Sequence, residues 1–417
     1  MFARSIPRAT VQAGRSAQCE ASHISTKLPS RTWPPLQQHG SRRHASTVRE
    51  QFRAQFRRSP FMFPLAIASV LAAAGWGAYF IPWYYQNVII KPYHNFPESV
   101  AKKLRRALFY SRGSYMDIKE ANKYFRQALQ IATEEGMDPF SDEIMGVKYA
   151  IAALFEEAGY YAMAVDVLEI MRADCQRWMD EFSDRHWNNG NRARVKKNMV
   201  QICVKLGSLY DTKYVNEPDD AEKRLVEAVE SVLMERQRRE TEGLKPGEGE
   251  FMTDDEAGAT LEALGQHYEQ YDSQHLALPL FVRALGLCPP KSCHSVILMN
   301  NISTSLAQQT ASPSAPATST PPRAVFIQQA SQWATKALAR ASSITPPDRN
   351  EECDVGCAVA THNLGEFLEM EGKLKEARGK YEEARSLAKA VGFADGVTNA
   401  KQGIERLKML EKQKKNM

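Results

Sequence analysis

The stretch that decides the fold is Glu256-Ala-Gly-Ala-Thr-Leu-Glu-Ala-Leu-Gly265-Gln-His-Tyr268-Glu-Gln-Tyr-Asp-Ser-Gln-His-Leu-Ala277-Leu-Pro-Leu-Phe281-Val-Arg-Ala284-Leu-Gly-Leu-Cys-Pro289-Pro290. Counted from Gly258 as position 1, Leu264, Gly265, Tyr268, Ala277, Phe281, Ala284 and Pro289 fall at positions 7, 8, 11, 20, 24, 27 and 32. Spacings of three and four put these residues on one face of each of two helices. Gly265, Ala277 and Ala284 let the backbones approach; Leu264, Tyr268 and Phe281 fill the space beside them. Pro289 stops the second helix, because it lacks an N–H and its ring clashes one turn back. Thr253-x-x-Glu256 predicts a capping box at the start of the first. Seven positions in one register predict a helix-turn-helix repeat.

The frame recurs. Ala121, Phe125 and Ala128 keep the 20–24–27 spacing, with Leu104, Ala107 and Leu108 on the partner helix. Phe155, Gly159, Ala164, Leu168 and Met171 form a second unit. Leu206, Gly207, Tyr210, Ala221, Leu225 and Ala228 form a third, with two extra residues in the turn Asn216-Glu217-Pro218-Asp219, where insertion costs little. The opening stretch is the fourth. The fifth is split: Ile302, Ser303 and Leu306 lie on one side of a Ser/Thr/Ala/Pro-rich insertion and Ala330, Ala334 and Ala337 on the other. Leu364, Gly365, Leu368, Gly372, Ala377, Tyr381 and Ala384 make the sixth. This is the tetratricopeptide (TPR) pattern. The expected fold is all-α, a single transmembrane helix followed by a superhelix of about six TPR repeats, each burying its apolar face only by stacking on a neighbour. The repeats are expected over 102–395, with disordered loops at 241–250 and 309–323, and a closing helix with a polar tail over 396–417.

The basic character of the 417-residue chain is local. Residues 1–58 hold eleven Lys and Arg against Glu20 and Glu50, a net of +9, so the remaining 359 residues carry −4 of the overall +5. That excludes a broad nucleic-acid face. Arg, Ser and Ala with few acids is the composition of a mitochondrial transit peptide, and Arg43-His44-Ala45-Ser46 resembles a matrix-processing site. A disordered basic tail has the same composition. Phe61 to Ile81 then carries no charge, and the uncharged run reaches Ile90. Twenty-one residues at ~1.5 Å each match the hydrocarbon thickness. Trp76, Tyr79, Trp83, Tyr84 and Tyr85 crowd one end as an interfacial belt does, and Arg49, Arg53, Arg57 and Arg58 flank the other. The expectation is a membrane helix within 59–90, a connector over 91–101, the N-terminus in the matrix, and the C-terminal bulk in the intermembrane space. Ala72, Ala73, Ala74, Gly75 and Gly77 form a small-residue patch suited to helix packing in lipid.

Catalytic signatures are missing: no H-E-x-x-H, no G-x-S-x-G, no phosphate-binding glycine loop. No cofactor and no metal is expected. His267, His275 and His294 lie on or beside repeat helices and are expected at the surface. Cys288 and Cys293 are five apart, and Cys353 and Cys357 four apart. The three roles open to them are small apolar packing, a bridge within either pair, or a zinc site from both pairs.

In TPR arrays the inner helices present positions 2, 5, 9, 12 and 13 to a bound peptide. Here those positions supply Tyr149, Glu156 and Glu157; Asp211; Glu262, Gln266, Glu269 and Gln270; and His362, Glu366 and Glu369. Chaperone-tail receptors clamp a carboxylate with Lys and Asn at positions 5 and 9. The pairs here are Tyr149/Ala153, Val204/Ser208, Glu262/Gln266 and His362/Glu366, none of which makes that clamp. These residues are either a mixed-polarity acidic peptide groove or a solvated surface.

Basic leader, one span and TPR array together resemble the fungal TPR adaptor subunit of the mitochondrial inner-membrane i-AAA protease. Lys91-Pro-Tyr-His-Asn-Phe-Pro97, the hairpin ending Ala121–Ile131 and the stretch Ala150–Met171 carry the likeness, which covers about residues 60–395. The resemblance implies a non-enzymatic role: capture of unfolded or misassembled proteins and delivery to the protease. The implied partners are i-AAA protease subunits, a fellow membrane adaptor, unfolded substrates and the inner mitochondrial membrane, with no nucleic acid. An import or chaperone-interacting receptor, or an assembly scaffold, is the alternative.

Overall fold

The computed structural model describes residues 48–90, 95–113, 116–309 and 323–416, and all their regular structure is helical. The proposed processing site and most of the leader lie outside the described residues. The chain divides into a unit ending at Pro97 and a unit starting at Glu98.

In the first unit, α1 (Val48–Arg58) is helical. Helix α2 (Met62–Tyr84) continues into a π-helical turn over Tyr85–Ile90. Pro82 lies inside α2 and removes one N–H from the ladder, and the wider turn follows directly. The helical run Met62–Val88 has 27 residues and a mean hydropathy of 1.6, and none of it is buried within the protein. It is long and apolar enough to cross a membrane. Phe80 stacks with Trp76 and Tyr84, so the aromatic end is organised as a ladder.

The second unit is a run of paired helices. They are α3 (Glu98–Tyr110) with α4 (Ile118–Glu134), α5 (Asp142–Glu157) with α6 (Tyr161–Phe182), and α7 (Asn191–Tyr210) with α8 (Pro218–Glu242). Then come α9 (Asp254–Gln270) with α10 (Gln274–Leu287), α11 (His294–Gln308) with α12 (Arg323–Ser343), and α13 (Glu351–Met370) with α14 (Leu374–Ala390). Helix α15 (Ala394–Asn416) closes the array. Helix α3 starts at Glu98, inside the connector expected over 91–101; residues 91–94 lie outside the described ones.

The frame residues are the core. Ala121, Ala164, Ala221, Ala277, Ala330 and Ala377 are each fully buried, as are Leu168, Leu206, Phe281 and Tyr381. A Cβ on Gly265 would stand 2.7 Å from the Phe281 ring, and one on Gly365 2.9 Å from Tyr381, so glycine there sets how closely the paired helices approach. The tight turns between partners use left-handed residues: Gly159 and Gly372 in two repeats, and Asn216 and Asp272 in two others. Thr253 and Glu256 form the capping box, with both reciprocal bonds present. One apolar cluster runs without a break from Leu225 on α8 through Leu261, Phe281, Ile302 and Ala330 to Phe367 on α13. Ala400 and Leu407 of α15 cover the last apolar face.

Two expectations need correction. The 241–250 stretch is not a loose loop. Glu248 and the adjoining Phe251 are buried, and Arg239 donates to the Gly249 carbonyl at 3.2 Å. Gly247 lies flush on the Asn188 backbone, leaving no room for a side chain. Of the second expected loop, 310–322 lies outside the described residues. The cysteines also pair differently. Cys293 bonds Cys353, 60 residues away, with a Cα separation of 4.8 Å, and neither local pair bridges. The α11–α13 stacking brings the helix starts together, which neither local spacing reveals.

Candidate functional site

The inner helices α5, α7, α9, α11 and α13 carry the residues singled out in the sequence. Most of them are spent on holding one repeat to the next. Glu156 accepts from Lys205 of α7 at 2.9 Å. Asp211, at the end of α7, meets His267 Nδ1 of α9 at 2.9 Å. His267 is thus buried and not at the surface. Glu262 is buried, accepts from Gln266 at 3.1 Å, and lies 2.7 Å from His294 Nε2 of α11. The hydrogen bond to Glu262 holds the His294 imidazolium and raises its pKa to about 9 against the cost of burial, with Glu352 adding to the effect. His362 is buried 3.4 Å from Glu366. Burial alone would raise the Glu366 pKa, but His362 and Arg406 outweigh it and hold the carboxylate low. Glu369 accepts from Tyr381 at 2.6 Å and from Arg406 of α15 at 3.1 Å. Tyr149 of α5 reaches the Asn198 carbonyl of α7 at 3.4 Å.

What the predicted set leaves facing solvent is therefore narrow. Gln266 and Gln270 are exposed and Glu269 is half-buried, all on one side of α9, and Glu157 is exposed at the end of α5. The structure gathers the predicted residues along one helix layer, but it makes most of them joints.

Sequence reasoning missed a charge cluster at the α7–α8 pair. Glu235 and Glu248 are each 1% exposed. Arg192 donates two bonds to Glu235, at 3.3 and 3.1 Å, Lys196 donates one at 2.8 Å, and Arg238 and Arg239 close the ring. Arg238 also pairs with Glu248. Burial pushes the Glu235 pKa up, but the bonds from Arg238, Lys196 and Arg192 pull it far below the usual carboxylate range. The Arg192 guanidinium lies 3.8 Å from the Trp187 ring centroid and Lys245 3.6 Å from it. The cluster fixes the 243–253 connection onto the start of α7. The Arg-rich run at 236–239 was the available signal, though not its partner.

No group of three or more His, Cys, Asp or Glu among the described residues is placed to hold a metal ion. Among the described residues, burial raises the pKa of the free thiols, Cys175 to about 12, and Cys203, Cys288 and Cys357 upward as well, so none of these four is poised as a thiolate nucleophile.

A Schizosaccharomyces pombe protein described as TPR repeat-containing is 28% identical over 320 residues, 75% of this chain and 79% of that one. The fold is a TPR array. A Saccharomyces cerevisiae protein described as MRG3-like is 26% identical over 175 residues, 39% of this chain and 34% of its own length. The chain matches no protein-family model. Among solved structures, BtubC from P. vanneervenii overlays with a TM-score of 0.45 at 14% identity, covering 66% of this chain and 91% of that one. The TPR2AB-domain:pHSP90 complex of yeast Sti1 overlays at 0.27 and 13% identity, covering 75% of this chain and 99% of that one. Overlays this loose add nothing beyond the frame itself. Helical-repeat superhelices of this kind offer extended surfaces for binding other proteins.

Proposed function

We propose that this chain is a membrane-anchored, non-enzymatic TPR adaptor of the mitochondrial inner membrane. Its span is α2, its N-terminus lies in the matrix, and its repeats lie in the intermembrane space. There it captures unfolded or misassembled proteins and hands them to the i-AAA protease. One observation carries the reading: a single chain joins an apolar helix of membrane length to a continuous helical-repeat array. A tether raises the effective concentration of weak binding elements, so modest contacts suffice for delivery. The buried Cys293–Cys353 bond supports an oxidising compartment. The sequence likeness over residues 60–395 supplies the protease.

The test is turnover of a misassembled inner-membrane protein in cells lacking this chain. Degradation slows several-fold on this account and recovers when the full chain returns. Unchanged turnover would remove the hand-off role. Digestion of the repeats by added protease in mitochondria with intact outer membranes would place them elsewhere and remove the location.

A further inference from the structure

A cavity of about 750 Å³ opens between α5, the first half of α7 and the 249–254 connection. It overlaps the inner-helix frame at Tyr149 and Gln201 and extends beyond it to Arg194, Lys197 and Asn198. Counting Leu206 and Gly207 as positions 7 and 8 places Asn198 two residues before the repeat begins. The cavity exists because α7 starts early, at Asn191, and because the Glu235–Glu248 cluster draws the 243–253 connection over that extension.

Three features of its lining bear on what fills it. First, Asn198 is 7% exposed, and its side-chain Nδ2 is buried with no hydrogen-bond partner. A buried amide donor left unmade costs about 1–3 kcal/mol, so the site favours an occupant that supplies an acceptor. Arg194, one helical turn earlier on the same face, has an unpartnered Nε as well. Second, the lining cations are committed: Arg194 to Asp138, Lys197 to Glu256, and Arg239 to Glu235. Asp142 and Glu250 have no ion-pair partner among the described residues and are exposed at the rim. The uncommitted charge is thus negative, which disfavours a phosphate or a nucleic acid. Third, Met145, Phe251 and Met252 supply an apolar wall, and methionine adapts to varied shapes.

We infer that this cavity is a subsite for an extended polypeptide segment carrying a Lys or Arg beside an apolar residue. A backbone carbonyl of the segment accepts from Asn198, its cation meets Asp142 and Glu250, and its apolar side chain lies on Met145 and Met252. The inference rests on the protein-binding reading of the array and adds the class of sequence it selects.

The test uses the full chain in detergent micelles and fluorescence anisotropy with a labelled Ser-Leu-Lys-Phe-Lys-Leu-Ser peptide. Its counterparts carry Gln or Glu in place of both Lys. The basic peptide is expected to bind tightest and the acidic one weakest. N198A should weaken the basic and Gln peptides alike, on the order of fivefold, the worth of one hydrogen bond. The double variant D142N/E250Q, at exposed positions that leave the fold intact, should weaken only the basic peptide. Binding that ignores both variants overturns this inference and leaves the scaffold reading standing. Absence of peptide binding by a wild-type chain that still captures partner proteins overturns it too. A chain that captures neither peptide nor protein removes both. A photo-cross-linker at Met252 that reacts with this chain's own residues 1–47 in preference to peptide would make the cavity a self-binding site and overturn the inference.

Discussion

Replacing Gly265 with alanine tests whether the repeat frame is set by helix contact. Alanine should stabilise an exposed helix interior by about 1 kcal/mol relative to glycine, because it restricts the unfolded chain. At Gly265 the new Cβ would stand 2.7 Å from Phe281 Cε1 and 3.0 Å from two further ring carbons. Phe281 is fully buried in the cluster that runs from α8 to α13, so the ring has nowhere to go. Overpacking of that kind costs about 1–3 kcal/mol. At the middle of that range the cost exceeds the propensity gain, and the difference is a net loss of up to about 2 kcal/mol. Gly379, inside α14, has nothing within 4 Å of its would-be Cβ and serves as the control. There alanine should stabilise by about 0.5–1 kcal/mol. Urea unfolding of the detergent-solubilised chain, followed by circular dichroism, should move the midpoint down for G265A and up for G379A. Equal shifts in the same direction would refute the idea that glycine at position 8 acts through the facing aromatic ring.

Further outcomes follow from the joints between repeats. C293S/C353S removes a link that closes a 60-residue separation and should cost about 2–4 kcal/mol, measured as a lowered melting temperature that matches reduced wild type. A variant that melts with oxidised wild type would mean that the bond carries no stability. E235Q leaves Arg192, Lys196 and Arg238 around a neutral amide in a buried site and should destabilise by about 3–5 kcal/mol, with the 243–253 connection losing amide-exchange protection first. His294 should make the α9–α11 joint sensitive to alkali. Its pKa rises from an unfolded 6.5 to about 9, so its contribution is complete below pH 6.5 and lost as the pH climbs to about 9. Its side chain is 38% exposed, so screening limits the effect to about 1 kcal/mol or less. Melting at pH 6 and pH 9.5 should differ in wild type more than in H294Q, and equal differences would contradict the assignment.

The six-unit frame was legible because TPR packing places small residues at fixed helical spacings. Ala121, Ala164, Ala221, Ala277, Ala330 and Ala377 could be found one by one, and all are buried. The long apolar helix α2 was legible from its uncharged run. What depends on how repeats stack was not. Cys293 and Cys353 are neighbours only because α11 and α13 lie side by side. Glu262 looked like a groove acid because its own helix leaves it on the inner face, but the next repeat covers it with His294 and Asn301. The early start of α7 also escaped notice, since residues before the repeat frame carry no periodic signature, and with it the cavity at Asn198. On the inner face, Glu269 is only half-buried while Glu262 is buried in a joint, so E269K is a cleaner probe of binding than any change at Glu262.

The central claim is delivery of clients to a membrane protease, and the most direct measurement is affinity purification of the full chain from mild-detergent mitochondrial extract, with mass spectrometry of the eluate. The account predicts i-AAA protease subunits together with a second membrane adaptor. An eluate of translocase subunits and chaperones without the protease would contradict it and make the chain an import-linked receptor.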